Sequence, residues 1–249
     1  MTQHQALVDD YLAVWNETDP ARRRRRIGAL WAPGGATFNR MLEARGYDAI
    51  VERVTGANDR WVRDGGFEFR PARVSAFGEA VRLVWVMASR ATGEVDSRAQ
   101  SYLVLDAAGR VLCDYQFPLQ AADDEPIRLG LVETYLAFWN ETDPGRLAAT
   151  VAGLWARGGG HADGHGVEQG HPAILAAAAQ TAAAYAARGR PFRLTGAPDG
   201  HHGAVRFDWA AGEGDAALTG SGLLLLDGDG LIDRAYTFED AKAQAQVAA

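Results

Sequence analysis

The chain has 249 residues, 47% of them apolar and 23% charged, which is the composition of a globular protein built of one or two domains. No apolar run approaches the roughly 20 residues needed to cross a bilayer, so no membrane partner is expected. Its net charge of −7 is divided unevenly: residues 1–120 hold 16 Arg against 15 acids (+1), while residues 121–249 hold 8 Arg and 1 Lys against 17 acids (−8). Phosphate binding needs clustered Lys and Arg, so the acidic second half argues against nucleic acid. The one basic cluster, Arg22 to Arg26, is read as a solvated helix face, because Arg146-Leu147-Ala148-Ala149-Thr150 stands in its place later in the chain. The opening MTQHQALVDDYLAVW has no basic stretch followed by an apolar core, so no secretory signal is expected. Cys113 is the single cysteine and fits a reducing compartment; a cytoplasmic location is expected.

In chain order, Leu7, Val8, Tyr11, Leu12, Val14 and Trp15 form one apolar helical stripe. Asp19-Pro20 opens a second helix, with Asp19 as the N-cap and Pro20 at the first helical position, where its missing N–H costs nothing. Ala36 to Asn39 reads as a short strand. A third helix is expected from Tyr47 to Arg63, ending at Asp64-Gly65-Gly66. Strands follow at 67–74, 80–89, 99–106 and 110–117, forming a four-stranded antiparallel meander. The helices must cover one face of that sheet to bury their stripes, which makes an α+β unit.

The order then repeats. Leu7 to Pro20 reads LVDDYLAVWNETDP and Leu131 to Pro144 reads LVETYLAFWNETDP, identical at eleven of fourteen positions with an offset of 124 residues. A repeat of that length is a whole domain rather than a solenoid unit, which would run roughly 20–50 residues. The expected domains are 1–118 and 127–240, joined by the polar Pro118–Pro126 linker. The second copy has helices near 128–142, 143–156 and 171–188 and strands near 191–197, 203–210, 217–226 and 231–238. Trp15, Trp31, Trp85 and Tyr115 recur as Trp139, Trp155, Trp209 and Tyr236. His201-His202 falls at a hairpin turn, and the tail after Asp240 is expected to fray.

Both copies resemble the nuclear-transport-factor-2-like superfamily, in its SnoaL-like and ketosteroid-isomerase-like branch. The resemblance rests on Tyr11 to Asp19 and Tyr135 to Asp143, the Leu-Trp-Ala that closes helix two, and the short strand after it. Gly46 to Ile50, Gly170 to Ile174 and the final hairpin complete the pattern. It implies two tandem cone-shaped domains, each with three helices on a curved antiparallel sheet around an apolar pocket, pairing within the chain as a pseudo-dimer. It also implies a base carboxylate on the short strand, at Asn39 in copy one and Asp163 in copy two, and an oxyanion-donating tyrosine at Tyr11 and Tyr135. The isomerase's second donor falls on Ser101 and Gly222. The His-Trp-Asp run of SnoaL-like cyclases reads Asp114-Tyr115-Gln116 and Ala235-Tyr236-Thr237.

A carboxylate in an apolar cone has its pKa raised by desolvation, toward the range useful to a general base. Asp163 is therefore the first catalytic candidate, with Tyr135 and His165 stabilising or relaying charge. Asp114 is the reciprocal candidate in copy one. Tyr11, Asn39, Trp85, Tyr115, Gln116, Trp209 and Tyr236 are expected to hold substrate. His161, Asp163, His165, Glu168 and His171 invite a zinc reading, but glycines flank the run and no CxxC or HExxH spacing supports it, so no metal is expected. With no phosphate-cradling glycine loop, no cofactor is expected either. The function so implied is acid–base chemistry on a hydrophobic, polyketide-like small molecule, of cyclase, isomerase or epoxide-hydrolase type. The alternative is a non-catalytic module binding a small molecule or partner.

Overall fold

The computed structural model describes residues 3–119, 128–186, 191–214 and 217–240. Most of the linker and the tail after Asp240 lie outside the described residues. The chain divides into two units, Met1–Asp124 and Glu125–Ala249. Among the described residues no helix is long and apolar enough to cross a membrane.

The first unit contains α1 (Gln3–Asn16), α2 (Pro20–Leu30), β1 (Trp31–Asn39), β2 (Leu42–Arg45), α3 (Tyr47–Ala57), a π-helical turn (Asn58–Arg63), β3 (Phe67–Phe77), β4 (Ala80–Ser89), β5 (Val95–Leu105) and β6 (Val111–Pro118). The Asp19 side chain accepts from the Arg22 amide at 2.7 Å, capping α2. The sheet has six strands in the order β2-β1-β6-β5-β4-β3, not the four of the expected meander. The extra pair arises because β1 is longer than its apolar core suggests and folds back on β2 as a hairpin. It joins the meander through a parallel pairing with β6, which puts Thr37 opposite Asp114. A bulge between Trp31 and Ala36 sets that register; a Cβ at Gly35 would meet the carbonyls of Val111 and Ala32, so glycine alone fits there. The third helix also departs from expectation in its last turn, which widens to π geometry, a distortion frequent at functional sites.

The stripes of α1, α2 and α3 pack on the sheet through Val8, Val14, Ile27, Ile50, Val54, Val81 and Leu83, all buried. Tyr11 lies 6.0 Å from Trp15 and 5.9 Å from Trp31, so the tyrosine and tryptophan of the repeated phrase form one aromatic cluster. Asn16 fixes the end of α1 to the sheet: its amide donates to the Phe69 carbonyl (2.7 Å) and its carbonyl accepts from the Phe69 amide (2.9 Å). Arg23 corrects the reading of the basic cluster. Its neighbours Arg22, Arg24 and Arg26 make surface ion pairs with Glu17, Asp48 and Asp10. Arg23 itself is buried, donating to the Glu17 carbonyl (2.6 Å) and the Asn58 side chain (2.9 Å).

The second unit contains α4 (Leu129–Asn140), α5 (Pro144–Leu154), β7 (Trp155–Ala162), β8 (Val167–Gln169), α6 (His171–Ala186), β9 (Phe192–Leu194), β10 (Asp199–His201), β11 (Ala204–Ala211), β12 (Leu218–Leu226) and β13 (Ile232–Glu239). Its sheet runs β10-β11-β12-β13-β7-β8, with β9 also on β11. The strand expected at 191–197 is only the short β9, ended ahead of Gly196, which has φ 96°, and β10 is a further short strand on the same neighbour. His202 sits in the expected turn, at φ 49°. The remaining devices repeat. Asp143 caps α5 through the Arg146 amide at 2.8 Å, and Asn140 clamps Phe192 as Asn16 clamps Phe69. Gly159 serves the bulge as Gly35 does. Leu147 and Ala182, both buried, replace Arg23 and Asn58, exchanging a polar pair for an apolar one.

Candidate functional site

Alternation along β6 decides which side chains can meet the helices. Asp114 and Gln116 point toward α1; Tyr115, between them, points to the opposite face and stacks on Phe38 at 4.9 Å. By the same alternation Thr237 reaches Tyr135 and Tyr236 faces away. The structure therefore separates Tyr115 and Tyr236 from the pockets that they were expected to line.

Asp114 is fully buried. Its Oδ2 accepts three hydrogen bonds: from Tyr11 Oη (2.9 Å), Thr37 Oγ1 (3.0 Å) and Gln116 Nε2 (2.8 Å). Its Oδ1 is buried with no hydrogen-bond partner among the described residues. Burial pushes the carboxyl up from its ordinary 3.8 to about 6, against the opposing pull of those three donors and of the Arg53 charge. Burial first, then the Asp114 charge, pushes the Tyr11 phenol well above its ordinary value. Ser101 lies 3.3 Å from Tyr11 Oη and accepts from the Trp85 indole at 3.0 Å.

In front of this cluster is a cavity of about 340 Å³, walled by Tyr11, Trp15, Trp61, Phe69 and Trp85, with Gln116 and Arg53 as polar lining. That volume lies within the range of small-molecule sites. The expected residues Tyr11, Trp85 and Gln116 meet here, with Asp114 behind the wall that Tyr11 and Gln116 make. Three contributors escaped the sequence reading. Thr37 depends on the parallel β1–β6 pairing, which no local signal announces. Arg53 and Trp61 stand with Ala57 at spacings of four along one helix face, a signal that was available but was absorbed into the ordinary helix pattern.

The second unit keeps the tyrosine and tryptophans but is equipped differently around them. Ala235 lies opposite His161 on the parallel pairing, as Asp114 lies opposite Thr37. His161 bonds Glu168 Oε2 at 3.1 Å and packs 4.4 Å from the Trp139 ring. Tyr135 Oη pairs with Thr237 Oγ1 at 3.0 Å, and burial raises its pKa. Phe207 replaces Leu83, and its ring covers Gly222, where unit one has Ser101. Trp209 lies over Gly220, and its buried indole N–H has no partner among the described residues. The remaining space is about 40 Å³, lined in part by Trp209 and Asp163, enough for water but not for a ligand.

Asp163 itself is half-buried at the end of β7, where its Oδ1 accepts from the amides of His165 (2.7 Å) and Gly166 (3.1 Å). Asn39 makes the same turn, accepting from Met41 (2.9 Å) and Leu42 (2.8 Å). His165 is exposed on that turn. His161, Asp163 and His165 thus face separate partners.

No protein-family model matches the chain, and a comparison with curated proteins returns no match. Solved structures do. A SnoaL-like family protein from Agrobacterium tumefaciens, provisionally named an isomerase, is 26% identical, covering 48% of this chain and 100% of its own at a TM-score of 0.45. A SnoaL-like protein from Jannaschia sp., provisionally named a polyketide cyclase, is 14% identical over 46% of this chain and 86% of its own, with a TM-score of 0.37. A Catenulispora acidiphila protein with a ketosteroid-isomerase-like fold, in complex with trimethylamine, is 13% identical over 45% and 83%, with a TM-score of 0.34. Each covers about half of this chain.

Proposed function

We propose that the first unit is the working copy, that its cavity binds a hydrophobic small molecule, and that Asp114 and Tyr11 move a proton on it. The observation that carries this reading is the Asp114 carboxyl: fully buried, raised to about 6, and bonded to the two side chains that present polar atoms at the cavity's inner end. A carboxylate near neutrality is matched to abstracting a proton activated by a neighbouring carbonyl. The step runs through the phenol. A substrate C–H proton passes to Tyr11 Oη while the Tyr11 proton passes to Asp114 Oδ2, and the C–H electron pair moves into the carbonyl as an enolate. Reversal at another carbon isomerises the molecule; attack of the enolate on an internal carbonyl cyclises it. In this reading the second unit, with its filled core, contributes stability rather than chemistry.

A binding-only reading has one observation in its favour, that Asp114 is screened from the cavity by Tyr11 and Gln116. Deuterium exchange separates the two. A panel of hydrophobic ketones is incubated with the protein in D2O and α-C–H loss is followed by NMR. Acid–base function gives protein-dependent exchange that Asp114→Asn lowers on the order of 10²–10⁴-fold. Ligands that bind with no exchange establish the binding module instead.

A further inference from the structure

Arg53 is the cation of the cavity lining, and the buried Asp114 senses its charge. The arginine projects from α3 into the cavity wall, half-buried, with its guanidinium 5.3 Å from the Trp15 ring centre. Among the described residues it makes no hydrogen bond or ion pair. The one acid in the cavity lining, Asp96, is exposed and does not pair with it. A guanidinium carries five N–H donors in a planar fork suited to two oxygens of an anion, and Arg53 presents that fork at the cavity wall. Arg53, Ala57 and Trp61 also line a larger, open depression of about 760 Å³ beside the β1–β2 hairpin, so the same cation faces both the cavity and a solvent-exposed surface. Unit two has Ala177 at this position and, among the described residues, only the space of about 40 Å³ beside Tyr135.

Resting on the reading of this cavity as a ligand site, we infer that its natural ligand is an aromatic or polycyclic anion, whose carboxylate or enolate oxygens pair with Arg53 while its rings lie among Trp15, Trp61 and Trp85. Charge-assisted, bidentate pairing supplies the orientation that an apolar wall lacks. The aromatic walls account for the ring system, and the guanidinium fork for the charge.

The test uses the full chain and matched ligand pairs: one- to three-ring aromatic carboxylates against their neutral primary amides, followed by calorimetry and by quenching of tryptophan fluorescence. The inference expects the carboxylate to bind about tenfold or more tighter than its amide, a preference that shrinks with added salt. Arg53→Gln should bring the two affinities together, and Arg53→Lys should retain part of the difference. Equal affinities in the wild type, or an unchanged preference in Arg53→Gln, overturn the anion inference while leaving the cavity a neutral-ligand site. Absence of binding by every member, acid and amide, overturns it together with the cavity reading beneath it. Circular dichroism of the variants separates a lost site from a lost fold.

Discussion

The hydroxyl of Tyr11 donates to Oδ2 of Asp114 at 2.9 Å, joining α1 to β6 inside a shell with no exposed polar atom of Asp114. The bond stabilises the carboxylate more than the carboxylic acid. Tyr11→Phe should therefore raise the Asp114 pKa beyond its present value of about 6. The variant should be destabilised by about 1.5–3 kcal/mol at pH 8, where the bond is to a charged group, and by less at pH 4. Urea unfolding at the two pH values measures this; an equal loss at both would mean that the phenol does not sense the charge.

Asp114 also gives the protein a pH dependence opposite to that of most carboxylates. Below 3.8 the group is protonated in both folded and unfolded chains and carries no cost. Between 3.8 and about 6 the unfolded chain ionises first, so stability falls as pH rises, and above about 6 the full penalty applies. The difference amounts to about 3 kcal/mol. Asp114→Asn should remove this slope. Comparing ΔG of unfolding for the two proteins from pH 4 to pH 7.5 cancels the other acids; parallel curves would show that Asp114 is not perturbed by burial.

The closure of the second unit rests on Phe207 and Gly222. A Cβ at Gly222 would run into the Phe207 ring closer than real Cβ atoms come to any neighbour. Gly222→Ala should cost about 1–3 kcal/mol from overpacking. Phe207→Leu restores the residue that unit one uses and vacates the volume, so the double variant should recover part of the loss, with a coupling of about 0.5–3 kcal/mol. Additive losses would show that the ring is free to move aside. The double variant should also gain a cavity that an apolar fluorescent probe detects.

Helix positions, both caps and the duplication were legible because they are local: stripes of period 3.6, Asp-Pro starts and glycine exits. The six-stranded sheet was not, since β1 meets β6 through a parallel pairing of Thr37 with Asp114, 77 positions apart, that no neighbouring residue encodes. Asp114 and Gln116 could be assigned one strand face from alternation alone. Which of the two faces met the helices could not, and that ambiguity placed Tyr115 and Tyr236 wrongly among the pocket residues. The resemblance also directed attention to Asn39 and Asp163 through position, whereas a turn role for Asp163 was readable in the Gly164 and Gly166 that follow it.

That turn role gives the last prediction. Asp163 and Asn39 each use one side-chain oxygen to accept two amides of the hairpin turn, at 2.7 and 3.1 Å in one case and 2.9 and 2.8 Å in the other. An asparagine presents the same oxygen at the same distance, so Asp163→Asn asks the second unit to do what the first already does. Unfolding free energy should change by less than about 0.5 kcal/mol, and α-C–H exchange should stay within threefold of wild type. Asp163→Ala removes the acceptor altogether and should cost about 1–2 kcal/mol, a loss from unmet turn amides rather than from chemistry. If Asp163→Asn instead lowers exchange a hundredfold, as removal of a general base would, then the 40 Å³ space in the second unit opens in solution and the assignment of chemistry to the first unit fails.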